Sequence, residues 1–306
     1  MTTDTSHNGQ ALPFRRVYTG MPVYNGEKYL EESIVSNLSQ TFDDFGLIIA
    51  DNASTDRTAD ICRDYANQDE RVVYVRNPQN VGAAGNYAKC FTPANSDYFR
   101  WSNADDLIEP MYIAECVEVL DQHPDVVLAY GGTRLIDGEG QWLEDYKDNL
   151  HLDQNSAAER FIECRQRTGL SNVLYGLMRR DALSQTALFG NFVASDMNLI
   201  AELTLYGKYF EMPETRFSRR MHDLSSSHDR SDENLQRNFW DPSKQRLLMQ
   251  SWRGLMAYYN AAKRAPIPTG DRRKIYQYLT KTMYWTKGEL FAELANYMRF
   301  GLLRSS

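Results

Sequence analysis

The chain has 306 residues, is 42% hydrophobic and carries a formal net charge of -7. That length buries a substantial core and is long for one compact domain, so a large domain with an appendage is expected. The acidic balance argues against a nucleic-acid binder, which would present a basic face.

Apolar runs such as 47–50 and 126–130 fall far short of the roughly 20 residues that span a bilayer. The N-terminus is polar with no hydrophobic signal core. A cytoplasmic protein is expected, with residues 1–14 as a disordered tail. Cys62, Cys90, Cys116 and Cys164 are scattered and form no C-x-x-C pair, which suits reduced thiols better than a zinc site or a disulfide scaffold.

In chain order, strands are predicted at 16–21, 45–50, 72–76, 97–102 and 126–130, and helices between them at 27–40, 55–67, 83–91 and 110–122. The first helix places Leu30, Ile34 and Leu38 on one stripe. Strands alternating with helices of this length imply right-handed crossovers and an α/β core, a mostly parallel central sheet flanked by helices. Residues 15–130 are read as a nucleotide-binding half. From 131 to 146 the pattern changes to Gly- and Asp-rich turns with short strand pieces. Helices at about 156–166 and 196–206 complete an acceptor half ending at 231.

Beyond 232, Leu247, Leu248, Trp252, Leu255, Met256 and Tyr259 recur at helical spacing, Pro266 and Pro268 interrupt, and a second helix is predicted at 272–300. This reads as a helical C-terminal region, 232–306. It carries Lys244, Arg246, Arg253, Lys263, Arg264, Arg272, Arg273 and Lys274 among Trp252, Tyr258 and Tyr259. A solvated helix pair, a homodimer contact or peripheral attachment to an anionic membrane would each account for them.

In a parallel sheet the ligand sits beyond the carboxyl ends of the strands. Successive strand ends offer Pro22, Tyr24 and Asn25; Asp51 to Asp56; Arg76, Asn77, Asn80 and Gly82; and Asn103 to Asp106. The adjacent carboxylates Asp105 and Asp106 repel each other unless water, donors or a cation absorb the charge. Asp51, Ser54 and Asp56 could instead cap the following helix, and Asn86 could be a helix-surface amide. Caps do not account for the ordered conjunction of Pro-x-Tyr-Asn, Asp-Asn-x-Ser-x-Asp and a carboxylate pair, one per strand.

Those motifs, Pro22-Val23-Tyr24-Asn25-Gly26, Ile48 to Asp56, Asn77 to Gly82 and Asn103-Ala104-Asp105-Asp106, resemble the inverting family 2 of nucleotide-sugar glycosyltransferases, of GT-A fold, from about Arg16 to His228. The resemblance implies that Tyr24 packs on the nucleotide base, Asp51 accepts from a ring nitrogen, and Arg76 flanks the nucleotide, with Pro22, Asn25 and Asn80 in the same site. It implies further that Asp105 faces the ribose and donor sugar and that Asp106 coordinates Mn2+ or Mg2+ on the diphosphate. Asp196 falls where the family places its base, although an acid in the first turn of a helix is also favoured by the macrodipole. Arg219 and Arg220 with His222 resemble the family's loop over the diphosphate, His222 as a metal ligand or phosphate contact. Trp101, Trp142 and Tyr175 could stack on sugars.

Two departures stand out. Asn103 and Ser195 occupy positions where many relatives carry acids, and Asn103 adds no charge to a metal site, so weaker metal affinity is expected. The Q-x-x-R-W signature of processive synthases is missing, which favours single addition to a glycan, lipid-linked or small-molecule acceptor. A UDP- or dTDP-sugar is the expected donor, because Asp51 can read a pyrimidine imide. A nicotinamide dehydrogenase is excluded by the single glycine in 21–26. A sugar-phosphate nucleotidyltransferase is kept as an alternative, although the Gly-rich basic loop that normally follows its first strand is missing. A nucleotide-sugar-binding protein without turnover stays open.

Overall fold

The computed structural model of the protein describes residues 12–223, 233–244 and 248–302. Most of the expected N-terminal tail, His228 at the end of the resemblance, and Arg246 and Leu247 of the C-terminal pattern lie outside them.

Four parallel strands form the first half: β1 (Arg15–Val23), β2 (Phe45–Asp51), β3 (Val72–Arg76) and β4 (Ser96–Trp101), side by side as β3-β2-β1-β4. All of β2 is buried, as a continuous apolar run in a central strand covered on both faces should be. Its side chains alternate between two cores. Leu47 and Ile49 join Leu30 and Ile34 of α1 (Leu30–Leu38) and Cys62 of α2 (Thr58–Gln68), while Ile48 and Ala50 join Cys90 and Phe91 of α3 (Gly82–Phe91). Leu30 and Ile34 are wholly buried, each contributing about 1.5–3 kcal/mol. On the other face, a Cβ at Gly20 would lie 2.5 Å from Cys90 Cβ, so any side chain there would push α3 off β1.

The second half is built on two long parallel strands. β6 (Val126–Ile136) runs straight through the Gly131-Gly132 pair expected to break it, because β9 (Lys208–Arg220) pairs along it with register shifts at those glycines. Three short strands run antiparallel to their neighbours. β8 (Leu177–Arg179) bridges β4 and β6, β7 (Trp142–Tyr146) forms a hairpin with β6, and β5 (Leu107–Ile108) adds to β9. The order is β3-β2-β1-β4-β8-β6-β9-β5, with every long strand pointing the same way. Helices α4 (Tyr112–Gln122), α5 (Ala157–Arg167), α6 (Arg180–Ser184) and α7 (Ser195–Leu203) complete this half.

Four helices follow: α8 (Glu233–Trp240), α9 (Gln250–Arg264), α10 (Thr269–Trp285) and α11 (Lys287–Leu302). The single helix expected at 272–300 is two, broken at Thr286. Leu255, Ala261, Ile275, Leu279 and Leu290 belong to the same core as the sheet. Polar ties reinforce that packing. Asn198 Nδ2 donates to Gly254 O at 2.9 Å, Asp271 accepts from Ser156 Oγ at 2.8 Å, and Arg264 donates to Glu202 at 2.6 Å. All four cysteines are buried and unpaired, and burial pushes the Cys116 and Cys164 thiols up to about 12.

Glu202 is 3% exposed, whereas its partner Arg264 is 39% exposed. Arg264→Ala strands the buried carboxylate and is expected to cost about 2 kcal/mol in urea denaturation, less than a fully buried pair because Arg264 is partly hydrated. Glu202→Gln, which leaves the guanidinium access to water, should cost about 1 kcal/mol.

Candidate active site

β1, β2 and β3 end in register, Val23 beside Asp51 and Asp51 beside Arg76, so the loops that follow are neighbours. Asparagines stitch them together. Asn52 Nδ2 donates to Asn80 Oδ1 at 2.8 Å, and Asn52 Oδ1 accepts from Val81 N at 2.9 Å and Asn77 Nδ2 at 3.2 Å. Asn86 is no surface amide. It is 3% exposed, accepts from Asn77 at 2.9 Å and donates to Ala50 O at 2.9 Å. Each of these amides satisfies loop backbone or a partner that would otherwise be buried unpaired.

Asn25, with φ 51°, accepts from Thr55 N at 2.8 Å through Oδ1, and its own N–H donates to Ser54 Oγ at 2.9 Å. Ser54 thus joins two loops and does not cap α2; Asp56 takes the Thr58 amide at 3.0 Å. Tyr24 is 49% exposed beside them, while Pro22 is half-buried in β1. Asp51 is wholly buried. Its carboxylate accepts from Ser54 N at 2.8 Å and Tyr74 OH at 2.9 Å and lies 3.5 Å from Arg76 Nη1. Each oxygen thus has a protein partner, and the side chain is fully covered in this structure.

The Asp105-Asp106 loop is held from the opposite edge of the sheet. β5 pairs Leu107 with Ser218 of β9, which sets Asp106 against the end of that strand. Asp106 is 3% exposed; Oδ1 accepts from Arg220 N at 2.8 Å and Oδ2 from Asn103 Nδ2 at 2.8 Å. Burial, and then the charge of Asp105, push its carboxyl well above the usual carboxylate range, while Arg219 opposes that shift. His222 Nε2 lies 2.9 Å from Asp105 Oδ2, with its ring against Tyr29.

The Arg220 side chain is 2% exposed and engages Glu32 at 2.6 Å, Asp105 O at 3.0 Å and the Tyr29 ring. It braces the loop, which corrects the expected phosphate contact. Arg219 Nη1 donates to Leu170 O and to Asn172 Oδ1 at 2.8 Å.

Asp196 stands in the first turn of α7, after Ala194 at φ 61°. Two buried tyrosines are near both it and the carboxylate pair: Tyr87 is in electrostatic reach of Asp196 and Asp105, and Tyr175 of Asp196 and Asp106. Tyr87 OH also donates to Asn103 Oδ1 at 3.4 Å. Trp101 is wholly buried in the aromatic core beside Tyr87 and Phe99, so it offers no face to a sugar. Trp142 is 61% exposed on β7.

Among the described residues no group of three or more His, Cys, Asp and Glu side chains forms a preassembled metal cluster. The donors present still fit a hard divalent cation: Asp105 and the His222 imidazole are adjacent, and the neighbouring Asp106 carboxylate is short of positive charge. Sequence reasoning missed Glu32, Tyr29 and Tyr87. None left a signal: Glu32 lies opposite the Leu30 and Ile34 stripe of the first predicted helix, and its side chain is 56% exposed.

A family model described as Glycosyl transferase family 2 matches residues 19–183. The chain is 31% identical over 129 residues to an uncharacterized glycosyltransferase of Methanocaldococcus jannaschii, a segment covering 42% of this chain and 44% of that one. It is also 31% identical over 133 residues to an uncharacterized glycosyltransferase of Haemophilus influenzae, covering 44% and 53%. The aligned segment thus spans about half the length of these curated relatives. Among solved structures, Staphylococcus aureus TarS 1–349 in complex with UDP-GlcNAc superposes with a TM-score of 0.65 at 16% identity, over 88% of this chain and 72% of that one. The mannosyltransferase PcManGT of Pyrobaculum calidifontis, in complex with GDP-Man and Mn2+, gives 0.55 at 14% identity, over 97% and 80%. The fold is the GT-A architecture expected.

Asn172 also donates to the buried carboxylate of Asp148 at 3.2 Å, whose pKa burial raises to about 6. An acid raised in the folded state stabilises it fully below its unfolded pKa of about 3.9, and that stability is lost as pH rises through about 6. The wild type should therefore lose up to about 3 kcal/mol from this group between pH 4 and 6.5. Asp148→Asn should flatten that part of the pH profile in urea titrations.

Proposed function

The chain belongs to Glycosyl transferase family 2, and from that premise we propose that it moves a sugar from a nucleoside-diphosphate donor to a hydroxyl of a glycan, lipid-linked or small-molecule acceptor. Each cycle makes one addition and inverts the anomeric centre. The observation that supports this reading is proximity: the buried Tyr87 is in electrostatic reach of both Asp196 and Asp105, and Tyr175 of both Asp196 and Asp106. A leaving-group site and a base on its far side are the two requirements of a single inverting displacement.

On the donor side, Tyr24 stacks on the base, with Asn25, Asn80 and Arg76 around the nucleoside. Asp51 acts at one remove, fixing the Ser54 and Arg76 positions on which that surface depends. A UDP- or dTDP-sugar is the donor we favour, supported by the UDP-GlcNAc complex of TarS. Asp105 and His222 would hold Mn2+ or Mg2+, with Asp106 behind them. When bound, that cation stabilises the negative charge gathering on the departing diphosphate. Asn103 orients Asp106 through its amide hydrogen bond, but it contributes no charge, so modest metal affinity follows.

On the acceptor side, Asp196 takes the proton of the attacking hydroxyl. Burial keeps the nearby Tyr87 and Tyr175 phenols neutral, so neither competes with Asp196 as the base.

Asp196→Asn should lower sugar transfer roughly 10²- to 10⁴-fold while UDP binding, read by calorimetry, stays within a factor of about two. Loss of UDP binding would move Asp196 to the donor side, and a wild type that binds donor without hydrolysis or transfer would make the protein a binder. His222→Ala should weaken Mn2+ binding measured by electron paramagnetic resonance and lower activity at limiting metal. Undiminished wild-type activity in chelator would remove the cation from the mechanism.

A further inference from the structure

Every carboxylate between residues 269 and 302 is engaged with the body of the protein. Asp271 accepts from Ser156 Oγ at 2.8 Å and Ala157 N at 3.0 Å, Glu289 accepts from Ser251 Oγ, and Glu293 accepts from Ser251 N at 3.0 Å. The same stretch carries Arg272, Arg273, Lys274, Lys281, Lys287 and Arg299. Arg272 is turned inward, onto the carbonyls of Ala262 and Ala265 at 2.9 and 3.0 Å, and Lys274 lies 3.8 Å from Glu159 of α5; Arg273, Lys281, Lys287 and Arg299 are exposed. The outer surface of α10 and α11 is therefore cationic on a chain whose net charge is -7.

It is also aromatic. Trp285 is 74% exposed, Phe291 67%, Tyr284 64% and Met298 55%, and the Lys287 ammonium sits 4.2 Å over the Tyr284 ring. On α11, Lys287, Phe291 and Met298 fall at positions i, i+4 and i+11 and share one stripe, away from the Glu289 and Glu293 side that faces α9. Large rings left in water beside lysines on one surface are costly for a monomer. They are what an interfacial helix presents to lipid headgroups, the rings entering the interface and the ammonium groups reaching phosphate.

We propose that the outer face of α10 and α11 docks on an anionic phospholipid bilayer. Most of the residues the sequence pattern singled out are not on this face: Trp252 donates to Leu290 O at 2.9 Å, Tyr259 pairs with Thr280 at 3.1 Å, and Arg264 holds Glu202. Charge selects lipid over a second copy of the chain, since a two-fold contact would set these cations against their own images. The inference stands apart from the sugar-transfer reading.

Full-length protein sedimented with vesicles at low salt should bind phosphatidylcholine–phosphatidylglycerol mixtures and not pure phosphatidylcholine, and binding should fade as salt is raised. Lys281→Gln with Lys287→Gln should weaken partitioning roughly thirtyfold, about 2 kcal/mol. Trp285→Ser with Phe291→Ser should also weaken it, with thermal melting unchanged in both double variants. No binding to the anionic vesicles, equal binding to neutral ones, or variants that bind like the wild type would overturn the proposal. So would a solution dimer by light scattering that Trp285→Ser with Phe291→Ser converts to monomer.

Discussion

The carboxylate of Asp106 is the point at which the two halves of the sheet are tied together at the site. It sits at the end of the β4 loop, yet one oxygen is held by the backbone amide of Arg220 at the end of β9. The two-residue strand β5 enforces this by pairing immediately after it. Arg220 then closes the arrangement from the other side, donating to Asp105 O and Glu32. Burial and the charge of Asp105 push the pKa of the Asp106 carboxyl upward, a strain that a cation would relieve, and Asp105 and His222 lie beside it.

The first half solves a different problem with a different residue. Three parallel strand ends leave loop amides and carbonyls below the surface, where water cannot reach them. Asn52, Asn77 and Asn86 satisfy them in a chain of side-chain hydrogen bonds, with both donor and acceptor of each amide available for use. The outcome is a rigid floor under Tyr24 and Asn25, which themselves stay in solvent. Near Asp196 stand the buried phenols of Tyr87 and Tyr175.

The alternating half was legible because each element there carries its own signal: an all-apolar strand such as β2, a single stripe such as Leu30 and Ile34, and a turn motif at each strand end. β9 was not, since its sequence Lys208 to Arg220 mixes charges, Met212 and Pro213 without period-two alternation; it is a strand because β6 offers a partner along its whole length. β8 and β5 are too short to show a period at all. The same limit applied within the site. Motif residues at strand ends could be named from spacing, whereas Tyr87, Glu32 and the bracing role of Arg220 depend on segments that meet only after folding.

The closed packing around the four cysteines has a practical corollary. Cys90 lies under Gly20, Cys62 under the β2 face, and Cys116 and Cys164 in the main core, each with a thiol that burial keeps protonated. Alkylating reagents attack thiolates, so the native chain is nearly inert to maleimide as it stands. One cysteine introduced at an outlying spot such as the β7 hairpin would be the sole reactive handle, giving a clean attachment point for a fluorophore or spin label.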